Sequence, residues 1–332
     1  MRIARFIGGR LLGVLVVLLV VTAVTYVIFY LLPSNPAQLS CGKPCTPENL
    51  ERAREYLGLN LPWYGQFWEF LKGIVVGRSF GTGAGAIACA APCFGYSFQL
   101  NTPVTELILT RFPVTASIAG GAAVLWFVSG VAGGAIAAVW RRRAADRAIM
   151  TVAIAGVSAP AYLVGMLLIL LFGFALGWLP TGGYEPFGDD PVQWFLHLLL
   201  PWTALAFISA AVYARLTRSE LIDQLGQDYI RTARAKGLGE GAVIVRHGLR
   251  NALIPVVTLF GLDLGALLGG AVISERVFSM QGIGALLIDS IGKLDLQVVV
   301  GVTLFAAFLI AIANVLVDIV YGIIDPRVRA AR

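Results

Sequence analysis

Four cysteines, Cys41, Cys45, Cys89 and Cys93, form two C-x3-C pairs in the first third of the chain. Thiols at that spacing can close as disulfides, hold zinc or act as a redox pair. Four cysteines allow three connectivities, and the sequence does not choose among them. No histidine or acidic ligand adjoins them, so disulfides are favoured over a zinc site, and no metal site is assigned. The two histidines, His197 and His247, have no cysteine or carboxylate set beside them. H-E-x-x-H is absent, and so is G-x-x-x-x-G-K-[ST], the loop that cradles nucleotide phosphates. The chain is therefore not expected to be an enzyme: no catalytic residue is assigned and no cofactor is expected in it.

Two acids fall inside strongly apolar stretches. Asp263 lies near the middle of one and Asp318 near the end of another. A carboxylate in a membrane is costly unless it faces a cavity or a partner, so Asp263 is either a pathway-lining or a helix-pairing residue. Gly261, Gly265 and Gly269 recur every four residues around it, as do Gly130 and Gly134 elsewhere. Small residues at that spacing let helices approach closely, within the chain or against a second membrane subunit. No ladder of acids crosses several spans, which disfavours a proton relay.

The longest polar interruption in the second half runs from Asp228 to Pro255. Its first part, Asp228, Tyr229, Ile230, Arg231, Thr232, Ala233, Arg234, Ala235, Lys236 and Gly237, reads as a short self-terminated helix. Asp228 caps the start, Lys236 occupies the last turn, and Gly237 supplies the left-handed stop. The second part, 240–254, reads as a basic amphipathic helix with Arg246 and Arg250 four apart. A helix like the first either lies on lipid headgroups or plugs into a partner protein.

The elements that must position these residues follow from composition. The 332 residues are 58% hydrophobic and 13% charged, about half the charge of a soluble domain, which makes this an all-α integral membrane protein. Basic residues cluster at the ends of apolar runs, so the net charge of +6 reports topology rather than nucleic-acid binding. Six spans are predicted at 11–32, 114–140, 148–176, 194–213, 251–272 and 297–321. The first is roughly 33 Å long as a helix, enough to cross the hydrocarbon core, and is read as retained rather than cleaved. Pro160 predicts a kink in the third. Lys/Arg excess at the N-terminus, 141–147, 215–250 and the tail places both termini in the cytoplasm. The domain plan is 1–33 (N-terminus and first span), 34–113 (an extracytoplasmic region with interfacial helices at 47–57 and 63–76) and 114–332 (a five-span core with the 215–250 loop). Residues 81–91 are expected to be loop, and 102–111 a short helix ahead of Pro113.

Several motifs in order resemble the permease subunits of ABC importers for dipeptides and oligopeptides. Arg231-Thr232-Ala233-Arg234-Ala235-Lys236-Gly237 is similar to that family's cytoplasmic EAA signature, with Arg231 in place of its Glu. Leu31-Leu32-Pro33-Ser34-Asn35-Pro36-Ala37 and Leu57-Gly58-Leu59-Asn60-Leu61-Pro62 resemble two landmarks near its N-terminus. The run Glu275-Arg276-Val277-Phe278-Ser279-Met280-Gln281-Gly282-Ile283-Gly284 resembles its outer-segment motif, with Gln281 in place of a proline. The cysteine-bearing stretch 87–99 departs from the pattern as an insertion.

The resemblance implies a type I importer permease fold and a B-type subunit that forms half of a translocation pathway in the inner membrane. It implies a second permease, two ATPase subunits holding ATP and Mg, and an extracytoplasmic substrate-binding protein. It makes 228–237 the coupling helix, and it makes Glu275, Phe278, Gly282 and Gly284 candidates for the outer gate or binding-protein contact. A secondary transporter and a non-transporting membrane scaffold are the alternatives from other classes.

Overall fold

The computed structural model describes residues 2–28, 37–38, 45–57, 59, 61–80, 87–97 and 99–324. Cys41, the C-terminal tail from Asp325 and the end of the first predicted span lie outside them. The chain divides into two compact units, one of residues 1–115, 268–272 and 281–312, the other of residues 116–267, 273–280 and 313–332.

In the first unit, α1 (Arg2–Tyr26) is followed by α2 (Pro47–Leu57) and α3 (Trp63–Val76). The last two match the predicted short helices. On α3, Phe70 and Gly73 are buried while Trp63, Tyr64 and Trp68 stand exposed, the one-sided pattern expected of an interfacial helix. The Gly/Ala-rich stretch is not all loop. Strand β1 (Arg78–Phe80) pairs antiparallel with β2 (Ile87–Cys89), with Ser79 opposite Ala88. A second two-stranded ribbon joins β3 (Tyr96–Ser97) to β4 (Thr102–Pro103). Tyr26, Phe70, Phe80, Tyr96, Val300 and Leu304 form one apolar cluster of this unit.

The helix predicted at 102–111 and the second predicted span are one element. Helix α4 (Val104–Val139) runs unbroken through Pro113. The backbone group that Pro113 leaves without a donor is the carbonyl of Leu109, an exposed residue, so the helix can continue at little cost.

The second unit contains most of α4, then α5 (Ala144–Ser158) and α6 (Ala161–Leu168), which continues in wider π turns to Ala175. At Pro160 the expected kink is a full break, with the two helices bent by 106°. Next come α7 (Pro191–Leu225) and α8 (Asp228–Ala235). Helix α9 (Glu240–Leu268) includes a π-helical stretch at Val243–Leu249. It joins the predicted amphipathic helix to the predicted fifth span without a break, and Pro255 lies inside it. Helices α10 (Val272–Val277) and α11 (Ile283–Lys293) lead into α12 (Leu296–Ile324).

Close approach of α4 and α7 depends on glycine. A Cβ on Gly130 would lie 2.5 Å from that of Tyr213, and one on Gly134 would lie 2.5 Å from the carbonyl oxygen of Ala214. The predicted Gly130/Gly134 face is thus an intrachain helix contact.

Among the described residues, four helices are long and apolar enough to cross a membrane, and the bent α5–α6 pair makes a fifth. The apolar part of α1, Leu12–Tyr26, is shorter than these.

Candidate functional site: a short braced helix and its supports

Helix α8 ends as its sequence predicts. Gly237 has φ +79, a conformation costly for any residue with a Cβ. The amide of Gly237 donates to Arg234 O at 2.9 Å and that of Leu238 to Ala233 O at 3.4 Å, the paired bonds of a Schellman stop. The start differs from the expectation. Gln227 holds the N-cap position and offers no side-chain bond, while Asp228 is already inside the first turn. There Asp228 acts through its charge near the positive end of the helix and through Arg231, 3.4 Å away. Lys236 caps the C-terminus rather than sitting in the last turn.

The helix has two faces. Ile230 is fully buried and Ala233 is 6% exposed, packed with Val243 of α9 and Leu225 of α7. Asp228, Arg231, Thr232, Arg234, Ala235, Lys236 and Gly237 are exposed. Tyr229 reaches sideways. Its hydroxyl donates to Gln224 Oε1 at 2.8 Å and accepts from Asn251 Nδ2 at 3.1 Å. Arg234 pairs with Glu240 across the Gly237 turn through two bonds, at 2.7 and 3.2 Å. That hydrogen-bonded pair raises the guanidinium pKa further. The result is a helix fixed to the end of α7 and the start of α9, with a polar outer face left uncovered.

A second brace escaped the sequence reading. Asp146, at the start of α5, takes both guanidinium bonds of Arg218 on α7, at 2.6 and 2.9 Å. Its Oδ2 also accepts from the Arg142 amide at 2.8 Å, where Arg142 turns the chain with φ +66. Both charged residues occupy apolar-to-polar boundaries, where single acids and arginines are common, so nothing local marks them as partners.

Asp263 accepts a hydrogen bond from the Tyr213 hydroxyl at 2.8 Å. Of the glycines near it, Gly261 and Gly265 are buried, and a Cβ on Gly261 would meet Val317 of α12 at 1.6 Å. Gly261 therefore serves packing within the chain. Gly269 lies just past the end of α9 and is not on the helix face predicted for it. The side chain of Asp318 is outside the described residues.

The four candidate outer-gate residues are all buried. Glu275 and Phe278 are 0% and 1% exposed, and Phe278 O accepts from the Gly183 amide at 2.9 Å. Gly284 packs against the backbone of Val272, and Gly282 precedes α11 as its N-cap. Whatever these residues contribute is carried through the packing of their segments.

Cys89 and Cys93 form a disulfide, with Cα atoms 5.6 Å apart, and Cys45 is also disulfide-bonded. Among the described residues no cysteine is free and no cluster of metal ligands occurs. Beside that disulfide, Ser97 donates to the carboxylate of Asp295, the residue ahead of α12. Gln99 donates to Lys293 O at 2.7 Å. A G-x-S-x-G pattern, expected to be absent from the sequence, is present as Gly77-Arg78-Ser79-Phe80-Gly81. Ser79 lies within β1, paired to Ala88, and not on the strand-to-helix turn that exposes a nucleophile.

Several helices are long and apolar enough to cross a membrane, and between two of them a short braced helix leaves its polar face uncovered. The chain belongs to the family described as "binding-protein-dependent transport system inner membrane component", which matches residues 130–330. The N-terminal module of the same transport systems matches residues 3–119. It is thus an ABC importer permease subunit, a multi-pass protein of the inner membrane. Over 325 residues it is 40% identical to the glutathione transport system permease protein GsiC of Escherichia coli strain K12, covering 98% of this chain and 99% of that one. The GsiC protein of Shigella flexneri serotype 5b is 39% identical over the same length.

Proposed function

We propose that this chain is a B-type permease subunit of an ATP-driven importer of dipeptides or oligopeptides. It crosses the membrane six times, with α1 as the first span and both termini cytoplasmic. It contributes half of the translocation pathway beside a second permease. Two ATPase subunits bind ATP and Mg and receive α8, and an extracytoplasmic binding protein delivers substrate to the segments at 34–111 and 274–296. The peptide class is supported by the similarity to a glutathione permease, since glutathione is itself a small peptide.

The observation that carries the reading is the division of α8. Its Ile230–Ala233 face is sunk into α7 and α9, and its charged face is uncovered. A displacement applied to the outer face would be passed to α9, because Tyr229 and Arg234 tie the two helices through Asn251, the His247 carbonyl and Glu240. A partner's nucleotide state acts on the pathway only through such differential contacts.

The test is uptake by the reconstituted complex across a peptide-length series, with ATP and with a non-hydrolysable analogue. In Gly237→Leu, uptake per ATP hydrolysed should fall by about tenfold, in line with the roughly 1–2 kcal/mol that the left-handed conformation costs a residue with a Cβ. Unchanged coupling in that variant would defeat the role assigned to α8.

A further inference from the structure

Helices α4, α7 and α9 meet at a cluster of rings beside one acid. Phe127 and Phe260 have centroids 4.7 Å apart, Trp126 and Phe260 6.1 Å, and Trp126 and Tyr213 6.3 Å. Tyr213 is fully buried and holds one oxygen of Asp263. Trp126 is 2% exposed. Among the described residues no cation pairs with Asp263, which remains partly exposed in the apolar C-terminal part of α9.

The rings pack against one another, but the acid among them is costly in a membrane. An uncompensated carboxylate calls for a positive partner, because its charge is poorly solvated there. Aromatic faces within about 6 Å attract cations, and an acid joined to aromatic rings is the chemistry that holds ammonium groups. Tyr213 spends its hydroxyl on one carboxylate oxygen and so fixes the direction of the other. Small-residue packing does not explain the acid, since Gly261 already supplies the close contact to α12.

The geometry points to Asp263, oriented by Tyr213 and flanked by Trp126, Phe127 and Phe260, as a transit site for the substrate's ammonium group. The assignment rests on the peptide-permease reading above. Every peptide with a free amino terminus carries such a group. A single charged contact suits a transit site, which must bind well enough to admit the substrate and weakly enough to release it.

The experiment uses the complete importer in liposomes and a dipeptide with a free amino terminus. Asp263→Asn keeps the shape and an acceptor for Tyr213 but removes the charge. Its maximal uptake per ATP hydrolysed should fall by about tenfold, the scale of one charge-assisted hydrogen bond. The peptide concentration giving half-maximal uptake should stay as in wild type, and Asp263→Glu should recover part of the rate. Wild-type uptake by Asp263→Asn would overturn the assignment alone. A fall in ATP hydrolysis parallel to uptake would overturn it in favour of a structural role. Stimulation by an imposed proton gradient that Asp263→Asn abolishes would overturn it in favour of proton binding. A wild-type complex that moves no peptide would defeat the peptide reading and this assignment together.

Discussion

The braced helix α8 and the disulfide-bearing region around 87–103 are stiffened by opposite means. Around α8 the ties are long polar side chains at the surface. Arg234 and Glu240 are 42% and 63% exposed, and Tyr229 and Asn251 also stand at the surface. Around the disulfide the polar groups are sealed in. Ser97, Asp295 and Gln297 are 0%, 5% and 3% exposed, beside Phe80, Cys89 and Tyr96. The first arrangement holds a small element firmly and leaves its outside available for contact. The second closes a region upon itself. Exposed polar ties cost little to make and little to lose, whereas sealed ones are expensive to disturb.

That contrast can be broken by measurement. The largest effect is expected where the unit that carries α8 contains its own half-buried pair, Arg218 (28% exposed) with Asp146. Arg218→Met strands a carboxylate that is 7% exposed and should cost about 3 kcal/mol in detergent unfolding. Adding Asp146→Leu should recover much of it. A loss no larger than that of an exposed pair would show that the brace is solvated. Next, Cys89→Ser with Cys93→Ser should cost about 2 kcal/mol, the loop-closure value for so short a loop, and thermal unfolding with and without reductant checks it.

Asp295 gives a pH signature. Burial raises its carboxyl pKa from the ordinary 3.8, while hydrogen bonds from Ser97 and the backbone of Val298 and Gln297 pull the other way. A carboxyl with a raised folded pKa contributes stability that is fully present below its unfolded value and is lost as pH rises through the folded one. Thermal stability should therefore increase as pH is lowered from neutral towards the ordinary carboxylate range. Asp295→Asn should flatten that slope, and a slope unchanged in the variant would break the claim. The smallest effect is expected for Arg234→Ala, below about 1 kcal/mol in stability because both partners are exposed. A loss as large as that of Arg218→Met would erase the distinction between the two kinds of tie.

Much of this was legible in the chain itself. The apolar runs predicted six spans; four stand as long apolar helices, and a fifth is the bent α5–α6 pair, with Pro160 marking the break. The Gly237 stop was readable because only glycine adopts that conformation cheaply. Helix starts were less readable. Gln227 rather than Asp228 holds the N-cap of α8, since a carboxylate favours the first turn nearly as well as the cap. The joining of 102–111 to the next span, and of 240–254 to α9, went against the prolines at 113 and 255. A proline removes one donor, and the surrounding helix can absorb that loss.

Composition, hydropathy and charge placement by themselves determined a helical membrane protein with a short basic-loop helix and no nucleotide-binding loop, and the order of motifs pointed to the permease family. Only the tertiary structure decided which residues hold one another. Asp146 finds Arg218 72 residues away, Tyr213 finds Asp263 at 50, and Ser97 finds Asp295 at 198. Periodicity reports which face of a helix avoids water, and it is blind to which distant side chain completes a buried polar group. That choice is made when helices pack, because a polar group taken from water must be paired with whatever packing brings within reach.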